Sequence, residues 1–237
     1  MKSGINSMFS KIYLKYDLMN HLMSFNFDKD WREDAANEVI IEKDKFNVLD
    51  VASGTGDLAI AINKAAQAKH KKVYIYAYDF NADMLDMARS KFRQEGMVNV
   101  KIEIGTAFKI AHKSNSVDVL TSAFALRSFA NVKGDKRGLQ KFISESYRVL
   151  RPGGKVVLLD MAMPDKEYQR SFFKIYSYVM LAMGSFVDRD TYAWLVRTIK
   201  SFDKKKLVKD MKSAGFKNIR YRSLKSGIAY LVTADKP

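Results

Sequence analysis

Hydrophobic and polar positions follow two different periods along the chain, and the switches between them mark its elements. In residues 8–40, Phe9, Ile12, Tyr13, Tyr16, Met19 and Met23 recur at i, i+3, i+4 spacing, which predicts a helical extension with one apolar face. "FNVLDVA" (46–52) then reads as a strand, "DLAIAINKAAQA" (57–68) as a helix and "KVYIYAYDF" (72–80) as a second strand ending near Asp79. The next helix, 81–96, carries its own punctuation: Asn81 suits an N-cap and Gly96 a C-terminal stop.

The alternation continues. Strands are expected at 100–107 and 117–126, a helix at 135–150, a turn at "RPGG" (151–154) and a strand at 155–164. Residues 167–200 read as mostly helical, 203–216 as a helix closed by Gly215, and "NIRYRSL" and "GIAYLVTADK" as two final strands. Strands alternating with helices imply an α/β, doubly wound, mostly parallel sheet covered on both faces. The closely spaced last strands imply an antiparallel C-terminal edge. The whole chain, 1–237, is expected to be one domain, with a helical N-terminal extension over about 1–45 and a helical insert over about 165–202.

The stretch "NVLDVASGTGDLAIAI" (47–62) carries the chemistry. In a doubly wound sheet, ligands bind beyond the carboxyl ends of the strands, where this turn lies. Gly54 and Gly56 lack Cβ atoms, so backbone can come close to a ligand there. Asp79, at the end of the next strand, can accept hydrogen bonds from ribose hydroxyls. The plainer alternatives are a tight turn at the glycines and a helix cap at Asp79. The pattern is short of a full G-x-G-x-x-G, because Ala59 holds the third place. Asp50 enters the turn and Asp57 leaves it, an acidic setting expected to repel pyrophosphate and to welcome a cation. S-adenosylmethionine, with an adenosine ribose, an ammonium and a sulfonium, meets that description.

Composition narrows the classes. There are no cysteines, which excludes disulfides, thiolate metal sites and cysteine nucleophiles. No apolar run approaches a membrane span of roughly 20 residues and the N-terminus lacks a secretory core, so a cytoplasmic location is expected. Lysine and arginine number 41 against 26 acids, a net +15 that is scattered rather than gathered into one arm. A solvated lysine-rich surface accounts for it, with nucleic acid or an anionic membrane face as the alternatives.

"VLDVASGTGD" (48–57), the acid at 79 and "RVLRPGG" (148–154) resemble the motifs of class I S-adenosylmethionine-dependent methyltransferases. "KYDLMNHLMSFNFDKDW" (15–31), "FALRS" (124–128) and "SGIAYLVTADKP" at the end more narrowly resemble the ubiquinone/menaquinone biosynthesis C-methyltransferases, over nearly the whole chain. The resemblance implies methyl transfer from S-adenosylmethionine to a ring carbon of a polyprenylated benzo- or naphthohydroquinone. Within it, Thr55 falls in the glycine turn, Asp79 on the ribose, and Thr106-Ala107 beside the adenine. Asp50, Ser53, Gly54, Gly56, Phe80 and Ala123 complete the candidate donor site, with no metal. Thr106 stands where the family usually has Asn or Asp, Ala123 where Ser is common, Asp28 where His is expected, and Ala125 and Ser128 where Gly and Asn occur.

A cation beside the acceptor hydroxyl would stabilise a developing phenolate, and Arg127 is the candidate for that catalytic part; a surface ion pair is its alternative. His21, Asp17 and Tyr16 are each conceivable as the base. The stripe Phe172, Phe173, Tyr176, Tyr178, Met180, Met183, Phe186 and Trp194 reads either as core or as a slot for the isoprenoid tail, with the basic surface meeting an anionic membrane. Three rivals stay open: a methyltransferase of RNA or another small molecule, a non-catalytic S-adenosylmethionine- or nucleotide-binding protein, and an oxidoreductase using NAD. A flipped-base segment is not found, which counts against nucleic acid, and homo-oligomerisation is left open.

Overall fold

The β-branched and aromatic runs become seven strands: β1 (Lys45–Val51), β2 (Lys72–Asp79), β3 (Val100–Ile104), β4 (Val117–Ala123), β5 (Leu150–Met161), β6 (Lys217–Ser223) and β7 (Ala229–Asp235). The helical patterns become α1 (Phe27–Val39), α2 (Asp57–Ala68), α3 (Ala82–Gln94), α4 (Leu126–Ala130), α5 (Gly138–Val149), α6 (Glu167–Gly184), α7 (Arg189–Ser201) and α8 (Lys204–Ala214). This is a computed structural model that describes residues 27–132, 134–135, 137–184, 189–224 and 227–237. The expected helix over 8–40 is therefore seen from Phe27 onward, and Phe9, Ile12, Tyr13, Tyr16, Met19 and Met23 lie outside the described residues.

The strands form one sheet in the order β3-β2-β1-β4-β5-β7-β6. The first five pair in parallel, and β7 runs antiparallel to both β5 and β6. The antiparallel C-terminal edge expected from sequence is thus a pair, with β7 inserted inside and β6 outermost. Burial follows: β7 is buried almost throughout, whereas β6 is almost wholly exposed.

Each face of the sheet has its own apolar core, as parallel sheets require. Trp31 of α1, Ile62 of α2, Phe92 of α3, Phe173 of α6 and Ile199 of α7 pack on one face with Val48, Val119 and Val157. Phe129 of α4, Phe142 of α5 and Leu207 and Met211 of α8 pack on the other with Leu49, Leu120 and Leu158. Capping works as the residues suggest. The Asn81 side chain accepts from the amides of Asp83 and Met84 at 3.0 and 3.3 Å. Gly215 closes α8 in the left-handed region.

Three boundaries differ from expectation. "RPGG" is a bulge within β5 rather than a turn before it: the β4–β5 register jumps from Val117↔Leu150 to Val119↔Lys155. Pro152 has no amide to give the ladder, and Gly153 takes φ +73°. The Gly153 amide instead donates to the Lys236 carbonyl at 2.7 Å. β4 stops at Ala123 because Phe124 turns to φ +59°. β3 stops at Ile104 because a Cβ on Gly105 would lie 1.9 Å from the Tyr78 hydroxyl, so only glycine passes beneath that ring.

Candidate active site

The turn after β1 is built by left-handed backbone: Ala52 at φ +57°, Gly54 at +57° and Gly56 at +85°. Asp50, fully buried at the strand end, holds it from below. One carboxylate oxygen accepts from Ser53 Oγ at 2.7 Å and the other from Thr121 Oγ1 at 2.8 Å. Burial pushes the Asp50 carboxyl up to about 6, against the pull of those two hydroxyls. The Ser53 amide donates across to the Tyr78 carbonyl at 3.2 Å.

Asp79 closes the other side of the turn. Its Oδ2 accepts from the Gly54 amide at 2.8 Å and its Oδ1 from the Asn81 amide at 2.9 Å. Burial raises this carboxyl too, while the amides of Asn81, Gly54 and Phe80 favour its charged form. A carboxylate has about four acceptor positions, so three amides leave capacity for a ligand hydroxyl.

Between this turn and the loops after β3 and β4 lies a cavity of about 350 Å³. Gly54, Asp79, Phe80, Thr106, Ala107 and Ala123, all expected from sequence, line it together. Nothing lies within 4 Å of where a Gly54 Cβ would sit, so the bare backbone opens onto free space. Sequence reasoning missed Tyr78, Met84, Gly105, Phe108, Phe124 and Phe129, which make the walls largely apolar. The glycine of "IEIGTA", standing at a strand end as Gly54 does, is the signal that could have found Gly105 and its Tyr78 lid.

The other four candidate donor-site residues do not line the cavity. Asp50 and Ser53 support the turn. Thr55 is buried, and its hydroxyl accepts from Lys91 Nζ at 3.2 Å. Gly56 serves packing, since a Cβ there would lie 2.5 Å from the Phe92 ring. The acidic setting attributed to Asp57 also needs correction. Its carboxylate is paired with Lys91 at 2.5 Å and lies 3.7 Å from Arg32, so its charge is spent on α3 and α1. The electrostatic argument rests instead on Asp79 and on the lining itself, which contains no lysine, arginine or histidine. A pyrophosphate would find no cation there.

Arg127 is likewise turned away from its expected part. It is 3% exposed and not among the lining residues. Its Nε donates to Asp160 Oδ1 at 2.6 Å, its amide to Asp160 Oδ2 at 3.1 Å, and its Nη1 to Thr198 Oγ1 at 3.2 Å. The guanidinium ties α4 to the end of β5 and to α7. It is a buried ion pair, not the surface pair weighed as the alternative.

The loop bearing Thr106 and Ala107 is clamped from α5. Arg148 donates to the carbonyls of His112 and Ile110, both at 2.8 Å, and to both oxygens of Glu145, both at 2.7 Å. Glu145 accepts in turn from the Ile110 amide at 2.7 Å. On the opposite side of the cavity, Phe124 meets α1: the Arg32 guanidinium lies 5.1 Å from its ring centre and the Trp31 ring 6.4 Å. Asp28 is buried in an ion pair with Arg32. His21, Asp17 and Tyr16, the conceivable bases, lie outside the described residues.

The aromatic stripe divides. Phe173 and Tyr176 join the core, Trp194 is half-buried, and Phe172 and Tyr178 face outward at 51% and 74% exposure. The last two therefore do not line an internal slot. The side chains of Met180, Met183 and Phe186 lie outside the described residues.

A family model described as "ubiE/COQ5 methyltransferase family" matches residues 1–236. The chain belongs to this family. Among curated members, the ubiquinone/menaquinone biosynthesis C-methyltransferase UbiE of Rickettsia felis is 32% identical over 98% of this chain and 92% of its own length. The demethylmenaquinone methyltransferase of Deinococcus radiodurans is 34% identical over the same shares. A SAM-dependent methyltransferase of Aquifex aeolicus has a similar fold, with a TM-score of 0.58 at 18% identity over 87% of this chain and 89% of that one. So has phosphoethanolamine N-methyltransferase 2 of Haemonchus contortus, solved with S-adenosyl-L-methionine, with a TM-score of 0.61 at 16% identity over 88% and 52%. This ubiE/COQ5 methyltransferase thus joins a familiar sheet to a strand-end cavity free of cationic side chains. Among its described residues no helix is long and apolar enough to cross a membrane, and no His, Asp and Glu cluster could hold a metal.

Proposed function

We propose that this protein is a C-methyltransferase that moves a methyl group from S-adenosylmethionine to a ring carbon of a polyprenylated benzo- or naphthohydroquinone. One observation carries the donor half of the reading: a 350 Å³ cavity without a cationic lining residue, with Asp79 fixed at its wall by the Gly54 and Asn81 amides. The residues fit an adenosyl sulfonium. Asp79 offers acceptor capacity to ribose hydroxyls, Gly54 gives backbone approach, and Phe80, Ala107, Phe108 and Phe129 offer flat apolar contact.

When bound, the donor supplies an electrophilic methyl on sulfur, and the displacement chiefly requires alignment. This chain's share is to orient and to exclude water. The Asp50–Ser53–Thr121 hydrogen bonds fix the turn, the Glu145–Arg148 clamp fixes the Thr106–Phe108 loop, and the apolar walls keep water from the reacting carbon. The acceptor half rests on kinship with proteins named for menaquinone and ubiquinone biosynthesis. A cytoplasmic protein that meets the membrane from its surface completes the reading.

The test is incubation with labelled donor and a panel of demethylated benzoquinols and naphthoquinols, with bulk RNA in parallel. Label on a quinol ring carbon is the expected outcome. Label on RNA alone would overturn the reading in favour of nucleic acid, and tight donor binding with no transfer to any substrate would leave a binding protein.

A further inference from the structure

Four of the eight large exposed hydrophobic residues among the described residues lie on one helix, α6: Tyr168, Phe172, Ile175 and Tyr178, at 68%, 51%, 66% and 74% exposure. At about 100° per residue, the first three fall within a narrow arc and Tyr178 borders it. The adjoining side of α6 is seated in the core through Phe173 and Tyr176. Scattered exposed hydrophobics need no explanation, but a stripe along one helix does.

The charges around the stripe have one prevailing sign. Lys166, just before α6, places its ammonium 5.9 Å from the Tyr168 ring centre, and Lys174 is exposed next to Tyr178 on the helix surface, against a single exposed acid of the helix, Glu167. Asp165, just before the helix, is already paired with Lys204. We propose that the outer face of α6 is a docking surface for an anionic lipid bilayer, its aromatic stripe entering the headgroup layer and its cations meeting lipid phosphates. An aromatic-rich apolar face bordered by lysines is the composition that lies in a membrane interface. Charge complementarity selects lipid over a second copy of this chain, because two apposed α6 faces would bring the same cations together on a molecule of net +15.

The position suits the site. Phe173 and Tyr176 belong to the core that holds Trp31, and Trp31 packs on Phe124 in the cavity wall. α6 also follows the carboxyl end of β5, the end of the sheet at which the cavity opens. The proposal rests on the reading that the acceptor is lipophilic, because a bilayer at this face would present it beside the site.

Co-sedimentation with vesicles of phosphatidylglycerol and phosphatidylcholine, beside vesicles of phosphatidylcholine alone, tests the surface. Wild-type protein is expected to pellet with the anionic vesicles and to be released by salt. The triple variant Tyr168→Ser/Phe172→Ser/Ile175→Ser and the charge variant Lys166→Glu/Lys174→Glu should each lower the partition coefficient about tenfold or more. Urea melts establish that each is folded, and the charge variant decides the matter if the triple variant is not. No preference for anionic vesicles, wild-type partitioning by a folded variant, or a solution dimer that the triple variant dissolves would each overturn the proposal. Methylation of a short-tailed, water-soluble quinol is read separately. Both variants should retain it, and its absence in wild type would defeat the enzymatic reading without touching the vesicle result.

Discussion

The Asp79 carboxylate accepts the Gly54 amide at 2.8 Å, so the end of β2 and the turn after β1 form one rigid rim across the cavity. Asp79→Ala removes both an acceptor for the ligand and the anchor of that turn. Calorimetry with S-adenosylmethionine should show binding weakened by about 1–3 kcal/mol, or roughly fivefold to 150-fold. An unchanged dissociation constant would refute the assigned role of Asp79.

The two glycines of the turn separate function from packing. Gly54→Ala places a Cβ in open space and pays for left-handed backbone alone, about 1–2 kcal/mol. Gly56→Ala carries the same backbone strain plus collision with the Phe92 ring, adding about 1–3 kcal/mol. Urea denaturation should rank Gly56→Ala as clearly the less stable, while Gly54→Ala should show the larger loss of donor affinity per unit of stability lost. The reverse ranking would contradict the placement of both residues.

Asp50 makes stability depend on pH in an unusual direction. Its carboxyl titrates near 6 in the folded chain against an ordinary value of 3.8. Between those values the folded state holds a proton that the unfolded state has released. This contribution to stability therefore falls as pH rises through the window and is level above it. Asp50→Asn removes the titration, so its stability relative to wild type should improve by on the order of 3 kcal/mol from about pH 4 to about pH 7. Parallel pH profiles for the two proteins would show that Asp50 does not titrate there.

Arg127 and Asp160 should behave as a structural couple. Arg127→Ala leaves a carboxylate buried without its partner, a loss of about 3–5 kcal/mol. The double variant Arg127→Met/Asp160→Leu should lose much less, because both charges go together. Equilibrium unfolding of the two variants checks this; equal losses would mean the pair is not coupled.

Arg148 reaches the cavity only through the loop it clamps. Arg148→Lys keeps the charge but cannot bridge Glu145 and two carbonyls at once. The expected result is about tenfold weaker donor binding with little change in the turnover of saturated enzyme. A fall in kcat at unchanged donor affinity would point to a different role.

The sheet and the strand-end residues were legible because their signals are local. Alternating patterns located all seven strands, and the places of Gly54 and Asp79 at two strand ends foreshadowed that both line one cavity. The partners of Thr55, Gly56 and Asp57 were not legible, because Lys91 and Phe92 stand more than thirty residues away on α3. Nothing within "SGTGD" reveals that a lysine will neutralise its acid. The partners of Arg127 were hidden for the same reason: Asp160 and Thr198 lie 33 and 71 residues further on. The order of the last two strands could have been read better. "AYLVTAD" is dense in apolar residues and "KNIRYRS" is not, which is the contrast between an inner strand and an edge.

The seat of β7 imposes an order of events on synthesis. β5 and β6 do not pair with each other, so each keeps an unfilled ladder until residues 229–235 leave the ribosome. Everything from the N-terminus to Leu224 can be translated while the sheet still presents a raw, apolar border at Leu158 and Leu159. Transcripts interrupted before Ala229 would yield chains prone to clump rather than a smaller working enzyme, because β7, made after the other six strands of the sheet, is the one that seals the interior.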